Sequence, residues 1–445
     1  MYRDLTKGSI ARALLLFALP MIAGNMLQQL YNIADTLIVG RVLGSNALAA
    51  VGSAYTLMTF LTSIFLGLSM GSGALFSIYL GKGDRASLKS AIVHAFVLIM
   101  TVTLVLNVLV YVCLNPILTF LQVPAEVWDG MRDYLLVIFA GLIATSLYNF
   151  FSCLLRALGN STAPLVFLAV SAVLNIGLDL LFVAVLPWGI QGAALATVIA
   201  QYVSGVGMTL YVLFRCRDLL PGRGEVHFSR PILKEIANLS TLTCVQQSVM
   251  NFGILMVQGL VNSFGPTVMA AFAAAVKIDT FAYLPVQDFG NAYSTFVAQN
   301  YGAGDLQRIR RGTRQAFLLS GAFSAVISLA VFLFAEPLMG IFVRAEETAV
   351  IAAGVQYLRI EGACYVGIGF LFLLYGYYRA IKRAEMSVVL TVISLGMRVL
   401  LAYALSAVIG EVGIWLAIPI GWVLADAVGL VYMWKKPLRF SKAAD

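Results

Sequence analysis

About twelve long apolar segments follow one another along this 445-residue chain, and they limit the folds that are open to it. Hydrophobic residues make up 61% of the sequence and charged residues 11%, whereas roughly a quarter of the residues in a soluble domain are charged. About 20 apolar residues cross the hydrocarbon core of a bilayer, where only helices and closed barrels satisfy the backbone's hydrogen bonds. Because the alternation of barrel strands is missing, the sequence predicts an all-α polytopic membrane protein.

The breaks between these segments predict twelve transmembrane helices in two sets of six. The first set is placed near residues 8–36, 46–76, 88–116, 130–156, 163–187 and 190–214. The second set is placed near residues 232–263, 267–298, 314–341, 350–378, 386–409 and 412–434. We therefore predict an amino-terminal six-helix lobe over residues 1–214, a cytoplasmic linker over 215–231, a carboxy-terminal six-helix lobe over 232–434 and a cytoplasmic tail over 435–445.

Three short strings in the first half recur in the second half about 221 residues later. The recurring pairs are Gly81-Lys82-Gly83-Asp84 with Gly302-Ala303-Gly304-Asp305, Arg156-Ala157-Leu158 with Arg379-Ala380-Ile381, and Gly192-Ala193-Ala194-Leu195-Ala196 with Gly413-Ile414-Trp415-Leu416-Ala417. Three echoes in one order and at nearly one offset predict an internal duplication. A duplicated membrane bundle places its working site within or between its halves.

The net charge of +8 is distributed by side of the membrane rather than gathered in one patch, so no nucleic-acid partner is predicted. Basic residues concentrate at the N-terminus, in the even-numbered loops, in the linker and in the tail. The odd-numbered loops and their flanks carry only Arg41, Arg132, Arg344 and Arg359. The positive-inside rule therefore predicts a multi-pass protein of the inner (plasma) membrane with both termini in the cytoplasm.

Few acidic residues interrupt the apolar segments of the first half, and two of them are candidate functional groups. Asp35 lies near the outer end of the first helix, and Asp179 lies in the fifth. Asn175 is four residues before Asp179, so the two side chains share one helical face. Charges in the bilayer are costly and mostly face cavities or partners. An amide oxygen beside a carboxyl group suits either bound Na⁺ or an exchangeable proton, and the alternative is a structural hydrogen bond between helices.

The second half also contains charged residues within apolar segments. They are Lys277, Asp279 and Asp288 in the eighth helix, Arg398 in the eleventh and Asp426 in the twelfth. Arg398 and Asp426 lie on consecutive helices, where a mutual ion pair would neutralise both. Lys277 and Asp279 are two residues apart and are expected to point in different directions. A cavity-facing role stays open for these two residues and for Asp288.

Pro20 lies in the first helix, about four turns before Asp35. It removes a backbone donor and crowds the preceding turn, so the helix is expected to kink or to bend there. If the bend is functional, ion binding near Asp35 could be converted into helix movement. A proline that the helix merely tolerates is the alternative.

The sequence is poor in the residues that bind metals or catalyse hydrolysis. Its five cysteines are scattered, mostly within apolar segments, and it has two histidines, His94 and His227. We therefore predict no disulfide framework, no metal motif, no cofactor and no enzymatic activity.

Several of these strings together resemble the multidrug and toxic compound extrusion (MATE) family. The resemblance rests on Leu19-Pro20, Ala34-Asp35-Thr36, Gly40, Asn175-x-x-Leu178-Asp179, Gly192-Ala193-Ala194 through Thr197, and Ala298-Gln299-Asn300-Tyr301-Gly302-Ala303-Gly304. Each string is weak alone, but their order, their spacing and the duplicated twelve-helix frame make the set specific over essentially the whole chain.

The resemblance implies a V-shaped pair of lobes that exports amphipathic, often cationic organic compounds in exchange for H⁺ or Na⁺. It implies a coupling site in the amino-terminal lobe, whose residues would also be the ligands of Na⁺ if Na⁺ is the coupling ion. It further implies a first helix that bends and a protein that functions as a monomer in the lipid bilayer. The implied coupling residues are Asp35, Asn175, Asp179 and Thr197, with Asn149 and Tyr134 nearby, and Pro20 is the implied bending position.

The carboxy-terminal lobe departs from the pattern of some sodium-coupled family members, which have acids in helices 7 and 10. Helix 7 here offers Gln258, and the middle of helix 10 has Gly367 and Gly369, with Glu361 nearer the outer end. A cation site built from those two helices is therefore in doubt.

Three other classes compete with the antiporter: a flippase, a membrane-bound transferase, and a receptor or scaffold. A flippase for lipid-linked oligosaccharides or cell-wall precursors, from the same superfamily, would need a cationic cavity, and only Lys277 and Arg398 lie deep in apolar segments. A membrane-bound transferase would need aspartate-rich Mg²⁺ motifs or paired histidines, which this sequence lacks. Buried acids in a duplicated frame also fit alternating access better than they fit a receptor or scaffold.

Overall fold

The computed structural model describes residues 4–120, 123, 125–219, 222 and 228–438, and its regular structure over those ranges is helical throughout. Part of the predicted linker, residues 220, 221 and 223–227, lies outside the described residues. The same is true of residues 439–445 in the predicted tail.

The helices are labelled in chain order. The first half contains α1 (Ile10–Leu43), α2 (Ser45–Lys82), α3 (Arg85–Val112), α4 (Leu114–Phe120), α5 (Ala125–Ile138), α6 (Leu142–Ala157), α7 (Thr162–Asp179) and α8 (Gly189–Arg215). The second half contains α9 (Arg230–Asn262), α10 (Pro266–Gly302), α11 (Leu306–Leu333), α12 (Ala335–Gly340), α13 (Thr348–Gly362), α14 (Tyr365–Ala380), α15 (Ala384–Ile409) and α16 (Glu411–Lys435).

The predicted number of membrane spans is confirmed. In the described part of the chain, eleven helical segments are long and apolar enough to cross a membrane, and the pair α13 and α14 supplies the twelfth. The predicted tenth helix, 350–378, differs from the structure because α13 and α14 meet at a bend of 51°. The bend follows Gly362, where the absence of a side chain accommodates Val331, whose Cγ1 would lie 3.0 Å from an added Cβ.

Contacts divide the chain into two units. Among the described residues, unit 1 comprises those within 19–80 and 84–244, and unit 2 comprises those within 4–18, 81–83 and 245–438. The chain therefore passes from one unit to the other within α1, just before Pro20, and again within α9, and residues 81–83 at the end of α2 also belong to unit 2. The predicted lobe boundaries at residues 214 and 232 refer to the sequence repeat and stay predictions.

Unit 1 is organised around α8, which contacts α5, α6 and α7. The approach of α8 to α6 is close because Gly205 has no side chain, and a Cβ placed there would lie 2.4 Å from the carbonyl oxygen of Ala144. Two buried apolar clusters support this packing, one around Phe65 and Phe139 and the other around Phe76 and Phe150.

Unit 2 is organised around α10, which contacts α11, α13 and α14, while α15 packs along α16. Its centre is aromatic. The rings of Phe272 and Trp415 stack with their centroids 5.6 Å apart, and Tyr357 meets Trp415 edge to face at 4.9 Å. The same contacts recur in both halves, where the third span packs on the fourth and the fourth packs on the sixth. In the first half α3 contacts α6 and α6 contacts α8, and in the second half α11 contacts α14 and α14 contacts α16.

The duplicated Gly-x-Gly-Asp string forms the same turn in both halves. Gly83 and Gly304 have φ of +74° and +75°, a conformation that favours glycine after a helix. The following aspartates, Asp84 and Asp305, each cap the next helix by accepting a hydrogen bond from a backbone N–H three residues on. The string therefore recurs because it ends one membrane helix and begins the next.

Candidate functional site

Two polar residues of α7 face the interior of unit 1, as their spacing predicts. Asn175 is 2% exposed and Asp179 is 0% exposed, one turn apart on the last turns of the helix. After Asp179 the chain continues as a π-helical turn over Leu180–Val185. Such wide turns occur frequently at functional sites, because they shift the side chains that follow them.

The structure brings Asp35 of α1 to Asp179. The two carboxyl groups lie within hydrogen-bonding reach of each other when one of them carries a proton. Oδ1 of Asp35 and both carboxyl oxygens of Asp179 are buried. As carboxylate oxygens they accept no hydrogen bond from any described residue. Two buried carboxylates this close repel each other, so the pair is stable only with a proton or a cation.

Thr197 and Tyr134 complete the cluster on α8 and α5. Nδ2 of Asn175 donates a 3.3 Å hydrogen bond to Oγ1 of Thr197, which in turn donates to the carbonyl of Ala193. Tyr134 is 6% exposed, and its hydroxyl lies near enough to both carboxyl groups for their charges to act on it. Oδ1 of Asn175 is buried and lacks a partner among the described residues.

We call Asp35, Asn175, Asp179 and Thr197 the amino-lobe cluster. It presents two carboxyl groups, an amide oxygen and a hydroxyl group, which are the hard oxygen ligands that suit a small cation. The same four groups can hold one exchangeable proton between the carboxyls. The donor set therefore fits both coupling ions that the sequence predicts.

The remaining predicted residues of this region are Asn149 on α6 and Pro20 on α1. Asn149 on α6 donates through Nδ2 to the carbonyl of Thr145, one turn back on its own helix. Its membership of the coupling site stays a prediction. Pro20 lies inside α1, which runs as one helix from Ile10 to Leu43.

A second polar cluster, which we call the carboxy-lobe cluster, forms around Asp279 in unit 2. The hydroxyl of Tyr357 on α13 donates a 2.6 Å hydrogen bond to Oδ2 of Asp279, and the hydroxyl of Tyr365 on α14 donates to Oδ1. The carboxyl group of Glu361 also reaches Asp279, and the guanidinium of Arg398 acts electrostatically on both acids. Asp279, Glu361 and both tyrosines are at most 5% exposed.

The structure does not pair Arg398 with Asp426. Within the described residues no ion pair joins them, because Arg398 faces Asp279 and Glu361 instead. Asp426 is 7% exposed, its Oδ1 has no described partner, and its Oδ2 lies toward Gly367, 3.7 Å from where a Cβ there would be. The lack of a side chain at Gly367 makes that room.

The other predicted polar residues of the second half lie apart from the carboxy-lobe cluster. Lys277 is exposed on the opposite side of α10 from Asp279, with its Nζ 5.9 Å from the centroid of the Phe342 ring. This placement agrees with the expectation that the two side chains point in different directions. Asp288 is buried further along α10, and Nε2 of Gln258 donates to Asn262 on α9.

Sequence reasoning missed three tyrosines beside these clusters, Tyr31, Tyr357 and Tyr365, and it named Glu361 without assigning it to a site. Tyr31 precedes Asp35 by one helical turn and lies near its carboxyl group. Tyr357, Glu361 and Tyr365 follow one another at intervals of four, which is the spacing of one helical face. That spacing is a sequence signal for a polar face in the outer part of helix 10, on the N-terminal side of Gly367 and Gly369.

The fold and the two clusters define a multi-pass membrane transporter built from a duplicated six-helix unit. The MatE family model matches residues 20–181 and again residues 243–404. The chain belongs to the MATE family of transporters. The double match also confirms the internal duplication predicted from the three recurring strings.

Individual relatives cover almost the whole chain. A Bacillus subtilis protein named probable multidrug resistance protein YpnP is 30% identical over 99% of this chain and 99% of its own length. A Shewanella oneidensis protein named FAD transporter is 25% identical over 94% of this chain and 92% of its own. A solved outward-facing multidrug resistance MATE transporter superposes with a TM-score of 0.91 at 23% identity, covering 97% of this chain and 96% of that one. This last likeness concerns the fold.

Proposed function

We propose that the protein is a secondary active antiporter that exports amphipathic, often cationic organic compounds from the cytoplasm in exchange for H⁺ or Na⁺. The observation that carries the proposal is the Asp35–Asp179 pair, whose buried carboxyl oxygens have no described partner. Membership of the MATE family and the multidrug resistance relative support the substrate class.

The coupling ion acts by removing a repulsion within unit 1. Without an ion, two neighbouring carboxylates are desolvated and mutually repulsive, which disfavours any conformation that brings them together. One shared proton, or one Na⁺ held by oxygens of the amino-lobe cluster, removes that penalty. Closure of the cluster then moves α1, and Pro20 is the position at which α1 bends.

Drug export follows from this change of conformation. The ion-bound form disfavours the drug, and the ion-free form binds it again from the cytoplasm or the inner leaflet. Each ligand shifts the equilibrium only by the difference between its affinities for the two conformations. A functional monomer in the plasma membrane is part of the proposal, as the resemblance to the MATE family implies. The cytoplasmic placement of both termini follows from the distribution of basic residues.

The test is efflux from proteoliposomes under separately imposed pH and Na⁺ gradients. Wild-type protein is expected to export a cationic dye under one of the two gradients, and Asp179→Asn is expected to abolish that export. Asp129→Asn makes the same substitution at an exposed position of α5 and is expected to transport like wild type. Gradient-driven export by Asp179→Asn at the wild-type rate would contradict the coupling role.

A second substrate class is favoured by one relative. The Shewanella oneidensis relative is named an FAD transporter, and it covers 94% of this chain. FAD is an anionic dinucleotide, unlike the cationic dyes that drug exporters carry. The same proteoliposomes loaded with FAD distinguish the two substrate classes. Efflux of FAD without efflux of the dye would show that the substrate is a nucleotide-like anion and not a cationic drug.

A further inference from the structure

The carboxy-lobe cluster contains one acid more than its cation can balance. Asp279 and Glu361 are 2% and 5% exposed, and Arg398 is the basic group that acts on both. Two ionised carboxyls and one guanidinium would leave a net negative charge in the apolar interior of unit 2. Such a charge is much less favourable than a neutral group of the same shape.

The hydrogen bonds assign different states to the two acids. Asp279 accepts from both tyrosine hydroxyls, one at each carboxyl oxygen, and these donors stabilise an ionised carboxylate. Glu361 has no tyrosine donor of its own, because the Tyr357 hydroxyl within its reach has one proton and directs it at Asp279. Oε2 of Glu361 is buried without a partner among the described residues. Its carboxyl reaches Asp279, so a protonated Glu361 can donate to that carboxylate.

We propose that Glu361 is a second proton-binding site, which shares its proton with Asp279 while Arg398 balances the remaining negative charge. With that proton bound the cluster is neutral and each carboxyl is hydrogen-bonded to the other. Loss of the proton leaves two facing carboxylates beside one guanidinium. The site lies outside the amino-lobe cluster, so its existence does not depend on the proposed role of Asp179.

A proton fits this site better than a metal cation does. Both oxygens of Asp279 already accept tyrosine hydrogen bonds, and the nearby guanidinium repels a second cation. The surroundings are also buried and aromatic, since Tyr357 packs edge to face on Trp415, which is 0% exposed. The other titratable groups acting on the two acids are Tyr283 on α10 and Cys364 at the helix break.

The position of the cluster gives its proton a mechanical consequence. Glu361 lies on the last turn of α13 and Tyr365 begins α14, so the 51° bend falls between them. Asp279 accepts a hydrogen bond from each side of this break, through Tyr357 and Tyr365. Broken membrane helices of this kind build ion and substrate sites in many transporters. Repulsion after loss of the proton acts directly on the bend.

Glutamine at position 361 separates a proton carrier from a purely structural group. The amide of Glu361→Gln donates to Asp279 as the protonated acid does, so the fold is expected to persist. It neither takes up nor releases a proton. Glu385→Gln makes the same substitution at an exposed position on α15 and is the matched control.

The experiment counts protons in the purified full-length protein, without Na⁺ and without drug, by acid–base titration and by the infrared carbonyl band of protonated carboxyls. Glu361→Gln is expected to lose one proton and one band relative to wild type, while Glu385→Gln keeps that band. Asp279→Asn is expected to lose the band too, because Glu361 then pairs with Arg398 as a carboxylate. Arg398→Gln is expected to bind one proton more than wild type.

The outcomes also separate this proposal from the proposed coupling site. Asp179→Asn is expected to remove a different carbonyl band and to leave the Glu361 band in place. If Glu361→Gln titrates like Glu385→Gln, the second proton site is excluded even where Asp179→Asn abolishes export. If Asp179→Asn exports at the wild-type rate while Glu361→Gln lacks its proton and its band, the coupling role of Asp179 is contradicted and the Glu361 proton site is supported. Should Glu361→Gln fail to fold, Asp279→Asn decides by the same band.

Discussion

Asn175 and Thr197 join α7 to α8 through one side-chain hydrogen bond, in which Nδ2 of Asn175 donates to Oγ1 of Thr197 over 3.3 Å. The hydroxyl proton of Thr197 is directed at the carbonyl of Ala193, 3.1 Å away. The threonine oxygen therefore accepts from Asn175 while its proton is engaged elsewhere. This arrangement holds the amide nitrogen and leaves Oδ1 of Asn175 available to a cation.

Thr197→Val keeps the shape of the side chain and removes the acceptor. Loss of one such hydrogen bond costs about 1 kcal/mol, which corresponds to roughly a fivefold weaker binding of the coupling ion. We expect the Na⁺ concentration or proton concentration for half-maximal dye efflux from proteoliposomes to rise accordingly. Thr197→Ser retains the hydroxyl and is expected to behave like wild type. Equal half-maximal concentrations for Val and Ser would remove Thr197 from the site.

Asp305→Ala removes the side chain that caps α11. The carboxyl accepts from the backbone N–H of Arg308 at 2.8 Å, and loss of such a cap costs about 1 kcal/mol of folding free energy. We expect a lower unfolding temperature for the purified protein in detergent. Asp305→Asn is the control, because asparagine caps helices about as well as aspartate does. A cap without energetic weight would give alanine and asparagine variants the same unfolding temperature.

Hydropathy and local spacing predicted much of the fold. Twelve spans follow from the cost of exposing polar backbone to lipid, which depends on composition and not on tertiary contacts. The placement of Asn175 and Asp179 on one face follows from helical geometry alone. The duplicated Gly-x-Gly-Asp string was recognised as a repeat, and the structure supplies its physical reason as a helix stop followed by a cap.

Partners across long separations could not be predicted in the same way. Asp279 bonds Tyr357 and Tyr365, which are 78 and 86 residues away in sequence. The expected Arg398–Asp426 ion pair is wrong for a related reason. The sequence indicates that two consecutive helices are neighbours, but it does not specify which side chains of one helix face the other. Glu361 and Tyr365 lie on either side of the 51° bend between α13 and α14, and both reach Asp279 on α10. The straight tenth span predicted from the sequence does not contain this bend.

Gly205→Ala tests the close approach of α8 to α6. The added Cβ would lie 2.4 Å from the carbonyl oxygen of Ala144, which is backbone and cannot rotate away. The helices must separate, and overpacking of this kind typically costs about 1–3 kcal/mol. We expect a lower unfolding temperature and a smaller yield of folded protein. Gly177→Ala is the control, since nothing lies within 4 Å of its added Cβ, so a similar loss there would point to backbone effects instead.

Pro20→Ala tests whether bending of α1 is required for transport. Pro20 cannot donate a backbone hydrogen bond, and alanine restores that donor and favours the helix by about 3 kcal/mol. We expect a higher unfolding temperature together with slower gradient-driven efflux, because a stiffer α1 resists the movement that follows ion binding. Pro20→Gly separates stiffness from the loss of the ring, since glycine weakens a helix by about 1 kcal/mol relative to alanine. Initial rates in proteoliposomes are expected to be lower for alanine than for glycine, and alanine at the wild-type rate would show that transport does not depend on a weak point in α1.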